Sequence, residues 1–337
     1  MMSDSIFGGS STGDEAAERE TLLRLPSLPP FDPSNPVESA VISSLAGSWP
    51  RRATVKRAEP DLDDLFEPDK ADYPDHLIPF HDDDRYRRLD EPVRARLSAW
   101  AWIAYNKNVM DVEQYVVNPG FRLLSQDAFG TGLGDTLTIA TLQAMVDEQY
   151  HTLMHLNASA LTRRRRGWDL HEGQLPYGPT VRRHHAAVSA ADGPRAAALA
   201  SLAFTTVAET SISAYLGLMT DDETVQPVNR STVVLHRRDE YCHSSIAGEL
   251  LKIVFESLGA DDRRLLLAGL ADGLEAFSAN DFSTWAAVMD AEGVPGRQGI
   301  LADAVHDTSR RNLVQDCSAI RRLCDELGVS AEVPYDW

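Results

Sequence analysis

Cysteine is scarce in this chain: three among 337 residues, Cys242, Cys317 and Cys324. An odd number in so long a chain excludes a secreted disulfide scaffold. No Cys-x-x-Cys occurs, which excludes a rubredoxin-type metal site and a dithiol redox motif together. Positive charge is also short. Lys and Arg number 32 against 51 Asp and Glu, for a formal net charge of −19. A nucleic-acid partner normally needs a basic face, so none is expected. Uninterrupted apolar runs long enough to span a bilayer are missing, and no membrane association is expected. The first nine residues lack the basic and apolar regions of a signal peptide, so the expected location is the cytoplasm. Alternating strand patterns are rare, and neither a solenoid repeat nor a flavin or nicotinamide fingerprint is present.

What is there begins loosely. Residues 1–36 are rich in Ser, Gly, Pro and acids, and are expected to be a disordered N-terminal segment. Residues 37–337 are expected to form one domain. Residues 50–90, with scattered Pro and acidic clusters, read as an extended strap with short turns. From residue 91 the pattern is helical. Helices are expected over 91–117, 136–161, 196–219, 231–258, 261–279, 282–292 and 308–327. The first is expected to stop at the breaker Asn118-Pro119-Gly120. The run Arg163-Arg164-Arg165-Arg166 reads as a solvated helix end or turn. The sharper alternative is a basic docking patch for an acidic electron donor.

The tetrad Asp-Glu-x-x-His occurs twice, as Asp147-Glu148-Gln149-Tyr150-His151 and Asp239-Glu240-Tyr241-Cys242-His243. Glu113 stands thirty-five residues before Glu148, and Glu209 thirty-one before Glu240. One tetrad arises by chance in roughly one ordinary chain in twenty; a pair with matched leading Glu residues is hard to attribute to chance. Glu from two helices and Glu-x-x-His from two others form a carboxylate-bridged dinuclear metal site inside a bundle. The expected fold class is therefore all-α, a ferritin-like four-helix bundle core with additional helices. Residues three apart share a helix face, about 4.5 Å apart along the axis. Glu148 and Glu240 can bridge two metals while His151 and His243 bind terminally. Glu113 and Glu209 add one carboxylate each. Such ligands suit iron or manganese and leave positions open for dioxygen. Acidic and basic residues on solvated faces are the plain alternative. It fails at Glu209, which sits among Leu202, Phe204, Val207 and Ile212, where a carboxylate is costly to bury unless paired or metal-bound.

Asp147 and Asp239 each precede a bridging Glu and point aside. Each is expected to accept the ring N–H of a ligand His from the opposite hairpin. His236, four before Glu240 and seven before His243, lies on their stripe. It is expected to join His243 on one metal, which makes the two metals unequal. His155 reads as a core or supporting histidine, and His184 and His185 as loop residues without a role. Cys242 lies about 200° round the helix from Glu240 and reads as packing.

At these residues the sequence resembles the bacterial non-haem di-iron arylamine N-oxygenases. The likeness is carried by Trp102-Ile103-Ala104-Tyr105-Asn106, Glu113-Gln114, the stretch 146–155, Ala208-Glu209-Thr210 and Leu235-His236-Arg237-Arg238-Asp239-Glu240. It runs from about Ala46 to the C-terminal helices, and the extra His before the second Glu-x-x-His is its specific mark. The resemblance implies two Fe ions. Glu113, Glu148 and His151 would hold one, and Glu209, His236 and His243 the other, with Glu148 and Glu240 bridging. It implies oxidation of an aryl amine through hydroxylamine and nitroso to a nitro group in antibiotic biosynthesis. O2 would be the co-substrate, and an external reductase or reductant would supply electrons. Tyr105 and Ser213 are the implied substrate-pocket residues. Ser213 stands one turn after Glu209, where family members acting on p-aminobenzoate carry Asn. No inward Arg beyond Arg237 and Arg238 is evident to clamp a carboxylate. Both points favour a larger neutral amine, first the aminophenyl-propanediol dichloroacetamide precursor of chloramphenicol, with p-aminobenzoate as the alternative. Outside this class stand a ferritin-like iron-storage or peroxide-scavenging protein, and a radical subunit using Tyr150 or Tyr241. Bundles of this type often pair as homodimers.

Overall fold

The computed structural model describes residues 27–58, 61–220 and 222–337. Residues 1–26 of the expected disordered segment lie outside the described residues. Residues 27–39 are irregular, and α1 (Ala40–Arg52) follows with the Ser39 side chain capping its start. Then come α2 (Glu91–Val112), α3 (Asn118–Ser125), α4 (Asp135–Arg166), α5 (Pro179–Ala190), α6 (Pro194–Thr220) and α7 (Pro227–Ser257). The chain closes with α8 (Ala260–Ser278), α9 (Phe282–Ala291), α10 (Arg297–His306) and α11 (Ser318–Glu326). No strand occurs among the described residues. The fold is an all-α, ferritin-like bundle. Pro opens α5, α6 and α7, where its missing N–H costs nothing. Gly167, at φ 66°, ends α4 in the left-handed region.

The bundle proper is α2, α4, α6 and α7. α6 packs along α7, α2 along α4, and α4 against α7; α8 covers α6, and α1 lies across α4 and α7. Two separate apolar clusters fill it. One holds Val112, Phe121, Leu137, Ala144, Phe204, Ala208 and Ile246. The other holds Trp102, Tyr105, Val109, Ala158, Ile212, Tyr215 and Val233. On each helix the change from one cluster to the other falls where the sequence places an acid or a His. Val109 and Val112 bracket the approach to Glu113, Ala144 and Ala158 flank Glu148 and His151, Ala208 and Ile212 flank Glu209, and Val233 and Ile246 flank 236–243. The polar residues thus form one layer between two oily ones.

Several helices differ from the expected ones. The first long helix does not stop at Asn118-Pro119-Gly120. A wide π turn, Glu113–Val117, joins α2 to α3, with the Asn118 N–H bonded back to the Glu113 carbonyl. Pro119 falls in the first turn of α3, where no N–H is required. Gly120 serves close packing, since a Cβ there would lie 1.9 Å from Thr205 Oγ1. Residues 308–327 split into the short turn Thr308–Arg310 and α11. α1 and α10 were not expected. His184 and His185 are on α5 rather than in a loop. α6 is long and apolar enough to cross a bilayer by length and composition, but Arg195 and Glu209 interrupt it and 72% of its most apolar stretch is buried in the bundle.

The arginine run is the last turn of α4 and is already engaged. Arg164 lies 2.6 Å from Asp63, Arg166 lies 3.0 Å from the buried Asp72, and Arg163 pairs with Glu172. It anchors the strap of residues 61–72 and the turn after α4, so it is not a free docking patch.

Candidate metal centre

Seven side chains meet in the polar layer, none more than 2% exposed: Glu113, Glu148, His151, Glu209, His236, Glu240 and His243. Glu113 opens the π turn, and such bulges re-aim side chains at functional sites. Glu148 and His151 come from α4, Glu209 from α6, and the other three from α7. Their ligand-type atoms form two overlapping groups, each within 4.8 Å. One comprises Glu113, Glu148, His151, His236 and Glu240; the other Glu148, Glu209, Glu240 and His243. Glu148 and Glu240 belong to both, the position a bridge requires.

The grouping corrects one expectation. His236 sits with His151 and Glu113, not with His243. The rings of His151 and His236 are 3.9 Å apart between centroids, and His236 Nε2 lies 3.6 Å from Glu113 and 2.9 Å from Glu240. Seven residues span about 10.5 Å of helix, too far for one metal. His236 and His243 therefore flank Glu240 on opposite sides. The asymmetry remains: one group has two imidazoles, the other one.

Asp147 and Asp239 lie behind the histidines of the opposite hairpin. His243 Nε2 is 3.1 Å from Asp147, and His151 Nε2 is 3.3 Å from Asp239. That leaves each Nδ1 turned inward, His151 Nδ1 at 3.0 Å from Glu148 and His243 Nδ1 at 2.5 Å from Glu148 Oε1. The aspartates are themselves held. The Trp49 indole N–H donates to both Asp147 oxygens at 3.0 and 2.9 Å, and the Thr54 backbone N–H donates to Asp239 at 3.1 Å. Neither Trp49 nor Thr54 was marked by the motif, because Trp49 lies on α1 and Thr54 opens the turn after it, far from the tetrads in sequence. His155 stands behind His236, Nε2 to Nδ1 at 2.9 Å, and its own Nδ1 is 2.6 Å from Asn106.

The electrostatics are those of crowded, dehydrated acids. Burial, then the charge of Glu148, holds the Glu113 and Glu209 carboxyls well above their ordinary range. Burial also works against Glu148, as does Glu240, but His243 and His151 outweigh both and draw it down to about 2. Burial disfavours charge on His151 and His243, yet the facing Glu148 raises both well above the usual value. A dication fits this donor set. Glu113 Oε2, Glu209 Oε2 and Glu240 Oε2 are buried with no hydrogen-bond partner, and Glu148 Oε1 meets only the His243 ring at 2.5 Å. So many orphaned donor atoms converging on two points are costly in a protein interior unless a cation is shared among them.

Beside the layer lies a cleft that opens to solvent. Tyr105, Tyr215, Asn108, Phe277, Asn280 and Asp281 line it, and Ser213 does not. Tyr105 stacks on Tyr215 at 4.8 Å and stands 6.3 Å from His155, so its ring is the wall between cleft and site. Gly178 lets the rim close in, since a Cβ there would lie 2.2 Å from Asn108 Oδ1. The single Lys in the lining, Lys107, is paired with Asp111.

The family model described as P-aminobenzoate N-oxygenase AurF matches residues 35–328. The 4-aminobenzoate N-oxygenase of Streptomyces thioluteus is 31% identical over 303 residues, 89% of this chain and 90% of its own length. Both matches span the seven clustered residues and the helices that carry them. The chain therefore belongs to the p-aminobenzoate N-oxygenase AurF family, and it is an arylamine N-oxygenase.

Proposed function

We propose that the polar layer holds two iron ions and that the enzyme uses O2 to carry an aryl amine through hydroxylamine and nitroso stages to a nitro compound. The observation that carries this reading is the sharing of Glu148 and Glu240 between two buried ligand groups. Glu113, His151 and His236 would complete one iron, Glu209 and His243 the other. The pair would supply dioxygen activation. Asp147 and Asp239 fix the ring orientation of His243 and His151, and the two apolar clusters keep bulk water from the site. Electrons come from an external reductant.

The cleft supports a neutral substrate. Its acids, Asp111 and Asp281, and its one Lys, already paired, offer no spare cation for a carboxylate among the described residues. Tyr105 and Tyr215 provide a stacked aromatic wall for the aryl ring, and Asn108 and Asn280 suit an amide-bearing side chain. Ser213 stays in the proposal as a small residue one turn from Glu209 rather than as cleft lining. The aminophenyl-propanediol dichloroacetamide precursor of chloramphenicol fits these features. The second reading is p-aminobenzoate, favoured by the name of the Streptomyces relative.

Iron-loaded, chemically reduced protein should convert one of these amines to its nitroarene under 18O2, with the label in the product by mass spectrometry. The neutral amine should give the higher kcat/KM. Absence of labelled product across a panel of aryl amines would sink the proposal. Iron far above two per chain would favour storage instead.

A further inference from the structure

The sequence raised a basic docking patch for an electron donor, and Arg163 to Arg166 do not provide it. A different patch does. Residues 50–57, Pro-Arg-Arg-Ala-Thr-Val-Lys-Arg, carry four cations and no acid in a chain whose net charge is −19. The segment is the end of α1 and the turn Thr54–Lys56. Arg51, Lys56 and Arg57 are exposed, and Arg238 of α7 joins them by donating to Thr54 Oγ1 at 2.7 Å. Arg52 is half-buried, with two guanidinium nitrogens lacking a partner. None of these five cations is ion-paired among the described residues. Arg164, Arg166 and Arg310, by contrast, are ion-paired.

The patch sits on an aromatic group joined to the metal layer. Lys56 Nζ lies 4.6 Å over the Trp49 ring. The Trp49 N–H bonds Asp147, and Asp147 bonds His243, whose Nδ1 faces Glu148 and Glu240. Two hydrogen bonds therefore separate an indole just under the surface from a ligand imidazole. Electron tunnelling favours such short bonded routes over gaps through packed side chains. The pseudo-symmetric aspartate, Asp239, receives a backbone N–H from Thr54 instead. Of the two aspartates, Asp147 is the one that bonds an aromatic side chain among the described residues.

Resting on the di-iron reading above, we infer that this face docks a small acidic one-electron carrier protein, and that Trp49 is where its electrons enter. Each encounter moves one electron from the reduced carrier to one ferric ion, leaving the carrier oxidised by one electron and that ion ferrous. Two encounters reduce the pair. Unpaired exposed cations on an otherwise acidic protein steer an acidic partner to one spot and repel it elsewhere.

A bacterial [2Fe–2S] ferredoxin is the probe. Its binding to the full-length protein, measured calorimetrically at low and moderate salt, should weaken steeply with ionic strength. The R51E/K56E/R57E variant should lose about tenfold or more in affinity, and a control reversal at the distant exposed Arg264 should lose none. Trp49→Phe should keep ferredoxin binding and, compared at equal bound iron, slow the ferredoxin-driven loss of the ferric absorption severalfold. Its reduction by dithionite with a viologen mediator should match wild type. Unchanged binding in the triple variant overturns the docking face, even if Trp49→Phe proves poorly folded. Equal ferredoxin-driven reduction in Trp49→Phe overturns the route. So does a patch that binds oligonucleotide but not ferredoxin. Arylamine oxidation by viologen-reduced wild type bypasses the carrier. Its failure strikes the proposed function, whereas its success with an inert patch strikes only this inference.

Discussion

His155 Nε2 lies 2.9 Å from His236 Nδ1, and that contact sets which nitrogen His236 turns toward the polar layer. The reasoning starts one residue further out. Asn106 Nδ2 donates to the Trp102 carbonyl at 2.9 Å, so Asn106 presents its Oδ1 to His155 Nδ1. His155 must donate there, which leaves its Nε2 as an acceptor. His236 Nδ1 then carries the proton, and His236 Nε2 is bare toward Glu113 and Glu240. Burial holds both rings below the ordinary histidine pKa, in keeping with neutral imidazoles.

The relay is testable by polarity at fixed size. His155→Leu should weaken iron at the His236 group about 10- to 100-fold, the usual cost of losing a ligand's supporting partner. His155→Gln can still accept from His236 and donate to Asn106, and should retain most of the affinity. Chelator competition measures this, and 15N shifts of His236 in the metal-free protein report its tautomer. Equal affinities in the Leu and Gln variants would refute the relay.

Asp147 and Asp239 should behave alike toward metal and differently toward the N-terminal segment. Asp147→Asn and Asp239→Asn should each weaken iron about 10- to 100-fold, since each orients a ligand histidine. Asp147→Asn also disturbs the bond to the Trp49 N–H, so tryptophan fluorescence should shift in that variant alone. Full iron retention in both would mean that the aspartates do not support the ligands.

The clustered residues were legible because the proposed dinuclear site demands acids and imidazoles at helical spacing, and Glu209 is costly in so apolar a helix without a cation. Their division between two sites was not. Period alone shows that His236, Glu240 and His243 share a stripe, but the rise along the axis decides which side of Glu240 each serves. The breaker Asn118-Pro119-Gly120 misled for a related reason. Local propensity reads Pro and Gly as a stop, whereas the π turn at Glu113 shifts the register so that Pro119 opens a new helix and Gly120 meets Thr205. Trp49 and Thr54 were hidden because their roles depend on tertiary contact between α1 and the bundle, which leaves no period in the sequence.

Gly120 gives a direct test of that packing. With its Cβ 1.9 Å from Thr205 Oγ1, Gly120→Ala forces α3 and α6 apart. The loss should be about 1–3 kcal/mol in denaturant unfolding, the usual cost of overpacking. Thr205→Gly removes the obstructing atoms, so the double variant should recover part of that loss in a mutant cycle. Strict additivity would show that the two side chains do not meet.

His184 predicts how the fold responds to acid. It is buried on α5, with Nε2 at 3.2 Å from Ser201 Oγ and its ring beside Phe204. Burial first, and then the neighbouring His185, push its pKa down from 6.5 to about 4. The unfolded chain takes up this proton more readily than the folded one. The stability that His184 contributes is therefore complete above pH 6.5 and is lost as pH falls toward 4. The gap corresponds to at most about 3 kcal/mol. His184→Gln can keep a bond to Ser201 and cannot charge. It should be less stable than wild type near pH 8, through poorer packing on Phe204, and the difference should narrow as pH drops from 6.5 to 4. Parallel stability curves for the two proteins across that window would remove His184 as an acid-sensitive group.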